Sequence, residues 1–197
     1  IFPALVVPIE IREDSAVVSD ALNAQKKMPI ECMLDTLKTV CRGYEARWYV
    51  RGFILSMVET FQDLLNGITL VNKVFNKHEI PVVPLLENEL ALSTCTKILN
   101  EAFARRKSIV STHRKLWGGR FEVMVGYSDS SKESGVFPSR LLIAQALTTL
   151  ERTLKRHGLT PVFFHGSGGS VERGGGSIRE QTEWWPRSAI HIFKATT

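Results

Sequence analysis

The chain has 197 residues, 44% of them hydrophobic and 23% charged, with a formal net charge of +5. This supports one sizeable packed core and excludes a disordered or fibrous chain. No stretch reaches the roughly 20 apolar residues that a membrane-spanning helix needs, so an integral membrane protein is not expected; no membrane partner is expected either.

The opening run, Ile1-Phe2-Pro3-Ala4-Leu5-Val6-Val7, lacks the basic lead and small-residue cleavage site of a signal peptide. It reads as the start of a piece of something longer. Leu5 to Ile11 predicts a first strand, ending at Arg12-Glu13-Asp14-Ser15. Met33, Leu34, Leu37 and Val40 have helical spacing and predict a helix over 30–40. Tyr49 to Met57 predicts a second strand, and Leu64, Leu65, Ile68 and Val71 a helix over 61–75. Ile80 to Leu86 predicts a third strand ending at Glu87, followed by helix from about Glu89 to Ile109. Glu122 to Tyr127 predicts the fourth strand, ending at Ser128-Asp129. Pro138 suits a first helical turn and opens a helix that runs to His157. Thr160 to Phe164 predicts the fifth strand, ending at His165, and Ala189 to Phe193 is a last apolar run.

Strands alternating with longer helices indicate βαβ units and a parallel sheet, and strands apolar on both faces fit a sheet covered by helices. The expected fold class is α/β, most of a (β/α)8 TIM-like barrel with extra helices, and the whole of 1–197 is expected to form one partial catalytic barrel domain. An open doubly wound sheet is the alternative. Cys32, Cys41 and Cys95 are odd in number, far apart and without a CxxC pair, which predicts reduced, mostly buried thiols in a cytoplasmic protein. The densest basic runs, Arg105-Arg106-Lys107 and His113-Arg114-Lys115, have no interleaved aromatics, so no nucleic-acid partner is expected. Trp184, Trp185 and apolar strands at the sheet edges are candidates for exposed surface.

Charge recurs where strands end: Arg12 and Asp14, Glu87, Asp129 and Lys132, then His165. In parallel α/β folds the C-terminal strand ends share one face, and active sites form there. Glu87 and Asp129 at neighbouring tips have the chemistry to hold one Mg²⁺ or Mn²⁺, with water and substrate oxygens completing the shell. The bland alternative is that such acids cap the following helix. After the fifth strand comes Gly166-Ser167-Gly168-Gly169-Ser170-Val171-Glu172-Arg173-Gly174-Gly175-Gly176. Glycine density lets backbone N–H groups approach an anion, and Arg173 adds a bidentate donor. The run lacks the GK[ST] of a Walker loop and the GxGxxG spacing of a dinucleotide fold.

Three segments resemble the phosphoenolpyruvate carboxylase family. Gly126-Tyr127-Ser128-Asp129-Ser130-Ser131-Lys132-Glu133-Ser134-Gly135 is similar to its GYSDSxKDxG segment, Phe163 to Gly176 to its FHGRGGxxGRGG loop, and Ile11 to Ser15 to its IRQES turn. Phe53 to Met57 and Val83 to Glu87 resemble its YVISM and PLFET strands. The resemblance implies a lyase that adds bicarbonate to phosphoenolpyruvate, giving oxaloacetate and phosphate with Mg²⁺ or Mn²⁺. That reaction fixes carbon dioxide and supplies the tricarboxylic acid cycle. It implies metal ligands at Glu87 and Asp129, substrate-binding positions at Arg12, Gly168 and Gly169, and catalytic positions at Lys132, His165 and Arg173. It also implies a cytoplasmic homo-oligomer, a tetramer, with small-molecule substrates.

Two departures stand out: Ser167 replaces the loop's first arginine, and Glu172 a glycine. They motivate an alternative, a catalytically impaired pseudoenzyme or regulatory protein that retains an anion or metal pocket.

Overall fold

A computed structural model describes residues 8–41, 43–75, 79–127, 131–132, 135–166, 182–183 and 185–195. Among the described residues, six strands form one sheet in sequential order, every neighbouring pair parallel. They are β1 (Ile9–Asp14), β2 (Val50–Ser56), β3 (Val82–Leu86), β4 (Arg120–Gly126), β5 (Thr160–Gly166) and β6 (Phe193–Ala195). The helices are α1 (Ser15–Asn23), α2 (Pro29–Val40), α3 (Phe61–Phe75), α4 (Glu89–Arg105), α5 (Ser108–Leu116), α6 (Val136–Arg156) and α7 (Arg187–His191), with a 3-10 turn at Ala46–Trp48. The sheet curls as part of a barrel, because side chains of its two edge strands meet across the inner face: Lys194 of β6 lies 2.5 Å from Glu10 of β1. A doubly wound sheet would reverse its strand order, and this one does not.

The two faces have different chemistry. Phe53, Leu55, Leu86, Val123, Val125 and Phe163 point toward the helices and join the main core with Leu64, Leu92, Leu99 and Leu147. The alternate residues, Ile54, Val83, Leu85, Met124 and Phe164, form a second, smaller apolar cluster on the inner face. Leu85, Met124, Phe164 and Lys194 lie side by side in register across β3 to β6. Beneath this layer, toward the strands' N-terminal ends, Lys194 Nζ bonds Glu10 at 2.5 Å and Glu122 at 2.6 Å and sits 5.1 Å from the Phe164 ring. The inner face is therefore not uniformly apolar, which corrects the expectation of strands apolar on both faces.

Local differences have physical causes. α1 was not expected, because Ser-Ala-Val-Val-Ser-Asp is poor in strong helix formers. It forms because Asp14 accepts from Ala16 N–H at 2.8 Å as its cap, while Val18 and Ala21 bury against the core. The helix expected over 89–109 breaks at Arg106, whose guanidinium bonds Thr69 at 3.2 Å, and α5 continues to Leu116. The basic run is thus partly committed to packing: Arg114 bonds the His157 carbonyl at 2.7 Å, and His113 is buried. Trp185 is buried rather than exposed. The start of the first expected strand, Leu5 to Val7, and Trp184 lie outside the described residues. All three cysteines are free; Cys41 and Cys95 are buried and Cys32 is exposed. Among the described residues no helix is long and apolar enough to cross a membrane.

Candidate active site at the strand tips

The tips of β1, β2 and β3 bring Arg12 and Glu87 together. Arg12 and Ile54 are register partners, and Ile54 in turn pairs with Val83, so Arg12, Ser56 and Glu87 share the inner face at its C-terminal end. The Arg12 guanidinium lies 3.5 Å from Glu87 Oε2. The other oxygen of Glu87 accepts the Met57 N–H at 3.0 Å. Glu87 is buried, whereas the Arg12 side chain is 53% exposed.

Met57 is the one non-glycine residue described with positive φ, at 54°. Its carbonyl accepts from the Ser15 hydroxyl at 2.8 Å while its N–H holds Glu87. A strained backbone secured on both sides is a feature found at functional sites. Helix capping does not explain Glu87, since Asn88 caps α4 by accepting from Ala91 N–H at 2.8 Å. For Asp14 the capping explanation holds. Gly126, at the end of β4, leaves room for Glu87: a Cβ there would lie 2.4 Å from Glu87 Cβ and 3.0 Å from its Cα.

The remaining expected residues divide three ways. Lys132 is exposed in the short helical turn that follows β4. Asp129, Gly168, Gly169 and Arg173, together with Ser167 and Glu172, lie outside the described residues. His165 is inside β5 rather than after it, and it faces the helix layer, the side opposite Glu87. It is fully buried, accepts or donates at Nδ1 with the Tyr127 hydroxyl at 2.7 Å, and stacks on Trp185 with ring centres 3.5 Å apart. Burial pulls its pKa down to about 3, only partly offset by a hydrogen bond with the Ala189 backbone. Burial likewise pushes the Tyr127 hydroxyl well up. Met57, Gly126, Tyr127 and Trp185 were not singled out as site residues from the sequence. A glycine ending an apolar strand was the available signal for Gly126.

As a metal site, Glu87 supplies a buried hard oxygen, and Oε2 faces only a half-exposed guanidinium on the described side. Among the described residues no group of three or more His, Cys, Asp or Glu side chains converges. Mg²⁺ and Mn²⁺ need no such cage, since one or two carboxylates with water and substrate oxygens suffice. A groove of about 770 Å³ opens on the rim beside Glu87, lined by Glu59, Asn88, Glu89 and Leu90, but neither Arg12 nor Glu87 lines it.

A parallel βα sheet curled as part of a barrel, with a carboxylate and a guanidinium paired at its C-terminal mouth, defines a barrel-type α/β protein with an ionic site at the strand tips. The chain belongs to the phosphoenolpyruvate carboxylase family: the model of that family, described as Phosphoenolpyruvate carboxylase, matches residues 8–191. A "Phosphoenolpyruvate carboxylase, housekeeping isozyme" of Glycine max is 34% identical over 140 residues, covering 71% of this chain and 14% of the relative. A phosphoenolpyruvate carboxylase of Hahella chejuensis is 33% identical over 144 residues, 73% of this chain and 16% of the relative. One of Nicotiana tabacum is 30% identical over 164 residues, 83% of this chain and 15% of the relative. The chain thus spans about a seventh of the length of the curated relatives it matches.

Proposed function

We propose that this chain carries part of a phosphoenolpyruvate-carboxylating site, with Glu87 and Asp129 holding Mg²⁺ or Mn²⁺ and Arg12 gripping the substrate phosphate. The observation that carries this reading is the Arg12–Glu87 pair at the strand tips, beside the strained Met57 backbone. Phosphoenolpyruvate is polyanionic, and its carboxylation builds negative charge on the enolate oxygen. A divalent ion at Glu87 supplies Lewis-acid stabilisation of that charge. Arg12 offers a planar fork to phosphate oxygens. Lys132 and Arg173 are assigned to the bicarbonate-derived carboxyphosphate and the enolate, and Gly168 and Gly169 to substrate binding. The reading extends to a cytoplasmic homotetramer that takes small-molecule substrates and supplies oxaloacetate to the tricarboxylic acid cycle.

The test is oxaloacetate formation from phosphoenolpyruvate and bicarbonate with Mn²⁺, comparing the protein with Asp129→Asn. Activity abolished by that change supports the reading; activity unaffected by it removes the metal assignment. The second reading is a pseudoenzyme, favoured by Ser167, which cannot make the charge-assisted fork of an arginine, and by Glu172, which adds negative charge beside an anion site. Calorimetry that shows phosphoenolpyruvate and Mn²⁺ binding without turnover selects it, and turnover restored in Ser167→Arg would show that little else was lost.

A further inference from the structure

We infer that Tyr127, His165 and Trp185 form a buried clasp that fixes the roots of the site's loops relative to one another, and that His165 serves there as a positioning residue. Two members directly precede segments with expected site residues, and the third follows one of those segments at a short distance in sequence. Tyr127 directly precedes 128–130, which includes Asp129; His165 directly precedes Gly166 and the glycine-rich run; Trp185 follows that run. The three side chains meet on the helix side of the sheet. Tyr127 hydroxyl and His165 Nδ1 are 2.7 Å apart, and the imidazole stacks on the Trp185 indole at 3.5 Å and 11°. Phe193 of β6 closes the cluster edge-on, 5.6 Å from Trp185 and 6.2 Å from His165.

The Tyr127 anchor extends beyond β4. Its carbonyl accepts from Ser131 N–H at 3.2 Å, the Ser131 carbonyl accepts from Gly135 N–H at 3.0 Å, and the Ser131 and Ser139 hydroxyls bond at 3.2 Å. A displacement of Trp185 is therefore passed through His165 and Tyr127 to the turn that holds Lys132. A face-to-face stack and a hydrogen bond inside a packed core have few alternative arrangements, so the coupling is rigid. The consequence for metal binding rests on the reading of Glu87 and Asp129 as ligands.

The test uses the full chain with Trp185→Ala and Trp185→Phe, read by amide NMR and by Mn²⁺ binding. In Trp185→Ala the amide resonances of Ser131 and Lys132 shift and Mn²⁺ affinity falls about tenfold, while Trp185→Phe, which can still stack, stays within about threefold of the parent. Folded variants with unmoved Ser131 and Lys132 amides overturn the clasp. If Trp185→Ala does not fold, Tyr127→Phe replaces it: loss of the hydroxyl must shift Ser131, and an unmoved Ser131 overturns the clasp. If the parent binds no Mn²⁺, the metal reading fails, and the clasp is decided by the amide shifts alone.

Discussion

Arg12, near the end of β1, reaches across the tip of β2 to lie 3.5 Å from Glu87 beyond β3. With its side chain half exposed, this ion pair contributes little to folding, less than about 1 kcal/mol. Its effect is local, since a guanidinium beside a carboxylate competes with any cation for the same oxygen. Arg12→Gln is expected to leave the melting temperature nearly unchanged, tighten Mn²⁺ about threefold in calorimetry and weaken binding of inorganic phosphate. Weaker Mn²⁺ binding in Arg12→Gln would show that Arg12 supports the cation site rather than competing with it.

Gly126, at the end of β4, lies against Glu87. Alanine there places a Cβ 2.4 Å from Glu87 Cβ, against side chain and backbone alike. Overpacking of this kind costs about 1–3 kcal/mol, and relief requires Glu87 to shift. Gly126→Ala is expected to lower the urea midpoint and to weaken Mn²⁺ binding as well. A variant with parental stability and affinity would mean that the strand tips yield more readily than this packing implies.

Lys194 serves two carboxylates, Glu10 and Glu122. Desolvation raises the pKa of Glu122, and Lys194 opposes that rise. A carboxyl group raised in the folded state makes the fold bind more protons than the unfolded chain. Its contribution to stability therefore declines as pH climbs from the ordinary carboxylate value through the raised one. Lys194→Met leaves both carboxylates without this partner. Because Lys194 is about a quarter exposed, the cost at neutral pH is expected to be about 2 kcal/mol rather than the full penalty of a buried charge. Denaturation at several pH values should show that loss shrinking toward acid. A pH-independent loss would mean that pairing with Glu10 and Glu122 does not set this part of the stability.

His165 works in the opposite direction. Its folded pKa is about 3, below the ordinary value near 6.5, so the unfolded chain binds the extra proton between those two values. Stability attributable to neutral His165 is complete above about pH 6.5 and is lost as pH falls toward 3, by about 5 kcal/mol in all. His165→Gln should flatten this part of the stability curve. An unchanged acid limb would place the proton on other groups.

These residues also show what could be read from the chain. Arg12 and Glu87 were recoverable because each ends an apolar run, and parallel strands finish on one side. His165 shows how small the margin is. Read as the residue after β5 it belongs to the mouth, but β5 runs on to Gly166, and alternation of side chains turns His165 to the helix side. The Lys194–Glu10–Glu122 cluster left no local signal, since its members are 72 and 184 positions apart and meet only because the sheet curls. The positive φ of Met57 is equally silent in sequence, being imposed by Glu87 and Ser15.

The most direct measurement is an Mn²⁺ titration followed by electron paramagnetic resonance on the protein, Glu87→Gln and Asp129→Asn. One bound ion in the parent, with affinity reduced at least tenfold in each variant, is the predicted result. Parent and both variants binding Mn²⁺ alike, or none binding it, would contradict a metal site shared by the tips of the third and fourth strands.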